Sequence, residues 1–308
     1  MLSLLFYASV SVAASHERLA LRAITVAPAE TLAVSTAGTG PAVVLLPGMI
    51  GGTYAWRHVA DGLVERGFSV VVIELLGTGR SSRPGGADYS LEGQAERVRV
   101  VLDTLGLPSA LIAAHGIAGS VAFRLALAHP SRVRGIVSLE GGPAERAGSP
   151  GVKRALAFAP LIRMFGGRGL VRGKIRKGLI ESSGDPAWVS DQIVDRYAEA
   201  PAADVGATLA TLGAMADAVE SLPLGPRLGD VNCPVLMLVG SAPHRSGPST
   251  VELAMMGARV PGYRQLLVEG AGHYLQEERP DVVIRALEEL QRAAVSDTRG
   301  WAPASAPR

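Results

Sequence analysis

Short apolar runs alternate with helical stretches along most of this chain, and that alternation constrains the fold more than any other feature. Val43–Leu46, Ser69–Glu74, Ala110–Ala114, Arg134–Glu140, Pro234–Val239 and Arg264–Val268 read as strands. Between them, Trp56–Arg66, Leu91–Leu105, Ala118–Ala128, Thr250–Val260 and Pro280–Ala294 carry helical patterns. Strands that are apolar throughout, separated by helices, imply a mainly parallel sheet covered on both faces. Leu21–Val26 and Thr31–Thr36 read as an opening hairpin.

The rhythm breaks from about residue 142 to 222, which holds helical patterns and no convincing strand. The organisation read from this is a core of residues 20–141 and 223–294 with a helical insertion, 142–222. A basic cluster within the insertion (Arg163, Arg168, Arg172, Lys174, Arg176, Lys177) reads as a solvated helix face rather than an anion or membrane site. Residues 295–308, rich in Pro, Ala and Ser, read as a disordered tail. Residues 1–19 read as a signal or a disordered N-terminus. Leu2–Ala14 is apolar, and Val12-Ala13-Ala14 resembles a signal-peptidase site, but no Lys or Arg precedes it. The stretch is too short to cross a bilayer as a helix. Cleavage there implies a secreted or periplasmic protein; without it the chain is cytoplasmic.

A net charge of +2 over 308 residues gives no reason to expect nucleic acid as a partner. The lone cysteine, Cys233, opens an apolar run and reads as a small buried side chain. No pair of histidines has metal-ligand spacing, and no glycine-rich loop has a phosphate-binding continuation, so neither metal nor cofactor is expected.

Ligands of open parallel sheets bind at the carboxyl ends of the strands. The sharpest loop there is Leu111-Ile112-Ala113-Ala114-His115-Gly116-Ile117-Ala118-Gly119, where a strand passes directly into a helix through small residues. The helix must pack back on the strand, so both flanks (Ala114, Ala118) are small and the central residue is held exposed in a strained conformation. This is the pattern of a nucleophile elbow, yet its centre is Gly116.

Taken in order, the motifs resemble those of the α/β-hydrolase superfamily, of the type with a helical cap, across most of residues 20–294. Leu45-Leu46-Pro47-Gly48-Met49 is similar to the family's oxyanion loop, with Pro47 where His is more usual. Glu74-Leu75-Leu76-Gly77-Thr78-Gly79-Arg80-Ser81, Ala128-His129-Pro130-Ser131-Arg132-Val133 and Gly270-Ala271-Gly272-His273 resemble three further family segments. The resemblance implies an eight-stranded, mostly parallel sheet with an inserted cap. It makes His273 the general base and the backbone N–H groups of Met49 and Ile117 the oxyanion donors, which need geometry rather than a particular side chain.

The family's usual acid is missing, because no Asp or Glu occurs between Asp230 and Glu252. Glu140, ending the strand after the elbow helix, stands where some dehalogenases of the family place theirs. It either holds the tautomer of His273, or caps a strand end or pairs with an Arg. His244 is assigned no role. In the cap, Phe158, Leu161 and Met164, with Ile162 and Phe165, either line an apolar substrate pocket or pack the cap onto the core.

Glycine cannot form an acyl-enzyme. Three readings follow: a small-molecule, ester-directed hydrolase inactivated at its nucleophile; an enzyme using His273 and Glu140 without a covalent step, as hydrolase, lyase or isomerase; or a binding protein that uses the pocket without turnover. The partner in each case is a small molecule, and the oligomeric state is left open.

Overall fold

A computed structural model describes residues 19–148, 167–244 and 246–295. The chain opens with the antiparallel hairpin β1 (Ala20–Ala27) and β2 (Glu30–Ala37). Then follow β3 (Ala42–Leu46), α1 (Arg57–Glu65), β4 (Ser69–Ile73), α2 (Leu91–Thr104), β5 (Ala110–His115), α3 (Ala118–Ala128) and β6 (Val133–Leu139). Three helices come next: α4 (Arg168–Glu181), α5 (Asp191–Ala203) and α6 (Val205–Asp217). The chain closes with β7 (Val235–Gly240), α7 (Thr250–Arg259), β8 (Tyr263–Val268), the single turn α8 (Leu275–Glu278) and α9 (Pro280–Val295).

The strands form one eight-stranded sheet in the order β1-β2-β4-β3-β5-β6-β7-β8. β2 pairs antiparallel with β4, and every pairing from β4 onward is parallel. Side chains alternate across a strand, which divides the core into two layers. Val44, Leu46, Ile112 and Ala114 face α2 and α3, packing with Val98, Leu102, Val121 and Phe123. Val43, Leu45, Leu111 and Ala113 face α1 and α9, packing with Val59, Leu63, Leu287 and Leu290. Central strands covered on both sides need apolar residues at every position, which is why β3 and β5 read as unbroken apolar runs.

The elements expected from the sequence match these within one or two residues at each end. A 3₁₀ turn over Gly52–Trp56 precedes α1, and its Thr53 N–H is held by the Glu74 carboxylate at 2.7 Å. Glu74 also accepts from Arg80 N–H at 2.5 Å. It thereby ties together the loops after β3 and β4.

The insertion lies between β6 and β7; of its described parts, 142–148 has no regular structure and 167–222 is mainly helical. Tyr197 of α5 donates to Glu277 at 2.7 Å, and Arg57 of α1 pairs with the same carboxylate at 2.6 Å. All three side chains are buried. The basic cluster of α4 is a solvated ion-pair lattice: Arg172 reaches Asp191 and Asp195, Arg176 reaches Asp191, and Lys177 reaches Glu181. The readings made on residues 1–18 and 296–308 lie outside the described residues. No described helix is long and apolar enough to cross a membrane.

Candidate active site

The elbow forms where the sequence places it. β5 ends at His115, α3 begins at Ala118, and Gly116 between them has φ +57°. That left-handed conformation is costly for residues with a side chain. The turn is held by main chain alone: Gly116 N–H donates to Leu139 O at 2.8 Å, and Gly116 O accepts from Gly119 N–H at 2.9 Å. The flanking Ala114 and Ala118 are fully buried. A Cβ built on Gly116 would meet only the His273 ring, 3.8 Å from Cε1 and 3.9 Å from Nε2. A side chain at this position would therefore have room to point at the His273 ring.

His273 sits in the loop after β8, and its backbone is fixed from two sides. Its N–H donates to Ser182 O at the end of α4 at 2.7 Å, and its carbonyl meets Nε2 of His115 at 3.0 Å. A carbonyl only accepts, so His115 carries its proton on Nε2. Burial drives the His115 imidazole down to about 4. Burial is also the main cause holding His273 well below the usual histidine range. The His115 and His244 rings add to that, and the Ser246 backbone opposes it. At neutral pH His273 is an uncharged base. Its Nδ1 is buried and has no partner at hydrogen-bond distance among the described residues, although the Ser246 backbone lies near enough to favour the charged ring.

The acid expected to brace His273 is committed elsewhere. Glu140 follows β6 with φ +53° and is buried. One carboxylate oxygen accepts from Gly240 N–H at 2.5 Å, and the other meets Nε2 of His244 at 2.9 Å. His244 Nδ1 in turn lies 2.8 Å from the Ala242 carbonyl, so Nδ1 is its donor. Burial raises the Glu140 carboxyl, against the pull of Gly240 and His244. Burial presses His244 down, but Ala242 and Glu140 outweigh it and its value rises. The pair thus holds its proton firmly. His244, to which the sequence assigned nothing, is the residue that Glu140 engages.

Gly116, His273, Glu140 and both expected oxyanion residues, Met49 and Ile117, line one cavity of about 390 Å³. A second cavity of the same volume shares Met49 and runs toward α5, bordered by Tyr54, Arg57, Glu74 and Tyr197. Phe158, Leu161 and Met164, with Ile162 and Phe165, lie outside the described residues.

This fold has counterparts among known proteins. The family model described as alpha/beta hydrolase fold matches residues 41–157. A solved thermophilic esterase from Thermogutta terrifontis superposes with a TM-score of 0.71 at 25% identity, covering 89% of this chain and 99% of that one. The chain is an α/β-hydrolase-fold protein. Among its curated relatives, "Bifunctional epoxide hydrolase 2" of Rattus norvegicus is 36% identical over 117 residues, 38% of this chain. The match spans only 21% of that relative's length. A "Pimeloyl-[acyl-carrier protein] methyl ester esterase" of Aeromonas hydrophila is 26% identical over 84% of this hydrolase-fold chain and 98% of its own.

Proposed function

We propose that this α/β-hydrolase-fold protein hydrolyses a small, apolar, ester-like molecule without forming an acyl-enzyme. The observation that carries the reading is the clear space between Gly116 and the His273 ring, kept inside an intact elbow. A water molecule there stands where a serine hydroxyl would be. His273, uncharged at neutral pH, takes its proton as the water attacks the carbonyl. The N–H groups of Met49 and Ile117 receive the negative charge that develops on the carbonyl oxygen. The epoxide hydrolase and esterase relatives support a hydrolytic reaction class. The helical insertion acts as a cap over the cavity.

Without a covalent step the acceleration is modest, on the order of 10³–10⁴ over water, which is what oxyanion stabilisation and binding give on their own. The test is hydrolysis of short p-nitrophenyl esters by the parent and by Gly116→Ser, each with and without His273→Ala. The expected result is slow parent turnover without a burst that disappears in His273→Ala, and faster turnover with a burst in Gly116→Ser. Parent turnover indifferent to His273→Ala overturns the reading.

One observation favours a second reading. Among the described residues no side chain braces His273 Nδ1, while Glu140 is engaged by His244 and Gly240, and an unbraced imidazole is a poor general base. On that reading the cavity binds a small molecule without turning it over, and tight binding with the ligand recovered unchanged distinguishes it. A proton-transferring lyase or isomerase would use the same ring and show His273-dependent turnover on non-ester substrates only.

A further inference from the structure

Glu140, His244 and His273 are far apart in sequence, yet they follow β6, β7 and β8, three neighbouring parallel strands. One ligand-type atom from each lies within 4.8 Å of the others. We propose that these three side chains form a binding site for a divalent first-row metal ion of the zinc class.

Three features beyond proximity point to a cation. The first is the state of His244. Its Nδ1–H is spent on the Ala242 carbonyl, so its Nε2 presents a lone pair toward a carboxylate 2.9 Å away. Two lone-pair groups at that separation need a positive charge between them: a proton, or a metal ion in its place. A ligating histidine that donates its other N–H to a backbone carbonyl is also the usual arrangement at metal sites, because it fixes the tautomer. The second is Nδ1 of His273, buried with no partner at hydrogen-bond distance among the described residues and with only the Ser246 backbone acting on the ring in favour of its charged form. Binding the ion would satisfy it, as the second nitrogen and third ligand of the set. The third is the backbone of Gly247. A Cβ there would fall 2.2 Å from the second Glu140 oxygen and 3.1 Å from His244 Nε2, so no side chain can fill that side of the pair.

The donor set suits zinc or cobalt: two imidazoles and one carboxylate, with ligand bonds of about 2.0–2.2 Å. Ligand atoms around such an ion stand about 3.3 Å apart in a tetrahedral set. The Glu140–His244 separation is close to that already. His273 closes the remainder by a ring shift of at most about 1.5 Å. Glu278 adds negative potential to both Glu140 and His244, and Glu252 lines the same cavity as Glu140 and His273.

A metal on Nδ1 leaves the His273 proton on Nε2, the nitrogen that faces Gly116, so an occupied site takes His273 out of the base role in the hydrolytic reading; binding itself is tested without turnover. Tag-free protein, stripped with chelator, is titrated with Zn²⁺ by calorimetry and with Co²⁺ by visible absorption. His244→Ala, His273→Asn and the surface control His129→Ala are run in parallel. Melting temperatures without metal report that each variant is folded. The expected result is one equivalent bound with proton release and a four- or five-coordinate Co²⁺ band. Binding should weaken at least about 100-fold in the two site variants, the upper end of the cost of losing a ligand's own hydrogen-bond partner, and stay unchanged in His129→Ala. A parent that takes up no Co²⁺, or uptake that survives both site variants, overturns the proposal.

Discussion

The side-chain position of Gly116 and Nε2 of His273 face one another across 3.9 Å, and among the described residues beyond its chain neighbours only the His273 ring comes within 4 Å of that position. Any residue placed there therefore pays in backbone strain and not in collision. Gly116→Ala and Gly116→Ser are each expected to lower folding stability by about 1–2 kcal/mol, the cost of a left-handed residue with a Cβ. Denaturant titration measures it. A loss above roughly 4 kcal/mol would mean that the turn rearranges when a side chain enters.

The buried trio of Arg57, Glu277 and Tyr197 clamps the helical insertion to the core. Glu277→Gln strands the Arg57 charge, which typically costs about 3–5 kcal/mol. Tyr197→Phe removes one hydrogen bond to a charged group, worth roughly 2 kcal/mol. Because both act on one carboxylate, the double variant should fall short of the sum of the singles. Strict additivity in urea denaturation would show that the two contacts are independent.

Glu92, in the first turn of α2, accepts hydrogen bonds from the Ser221 hydroxyl, Ser221 N–H and Leu222 N–H. Burial alone would raise its carboxyl, but these donors outweigh burial and lower it. A lowered carboxyl contributes stability that is complete above the unfolded-chain value of about 4.3. That stability drains away as pH falls through the folded value, because the unfolded chain takes up its proton first. Glu92→Gln should be less stable than the parent at neutral pH, with the difference shrinking progressively below that unfolded value. A difference that stays constant down to acid pH would assign the effect to shape instead of charge.

Cys233 is buried, and that burial pushes its thiol up to about 12. Thiolate is the reactive form. Native protein at mildly alkaline pH should leave Ellman's reagent unreacted and release one equivalent only on unfolding. Rapid reaction of the native state would show that the strand entrance at Cys233 opens.

The sequence carried the sheet and the elbow because both are local. Period-two burial of β3 and β5 needs apolar residues on both faces, and the elbow needs small residues at 114 and 118. The pairing of Glu140 was out of reach. Position 140 identifies a strand end, but whether its carboxylate meets His273 or His244 depends on how the loop after β7 folds, and no spacing rule connects residues 104 positions apart. For the same reason, the absence of metal-ligand spacing in the sequence says nothing about side chains gathered by three strand ends. The legible part of the site was the turn at Gly116 and the gathering of Met49, Ile117 and His273 around one cavity. The illegible part was its hydrogen-bond network.

The elbow turn is held by the main-chain bonds of Gly116 to Leu139 and Gly119, none of which involves a side chain at 116. Identity at that position and integrity of the scaffold are therefore separately mutable. A lineage can drop its nucleophile, keep a sound cavity and histidine loop for another use, and regain the old chemistry without rebuilding the fold.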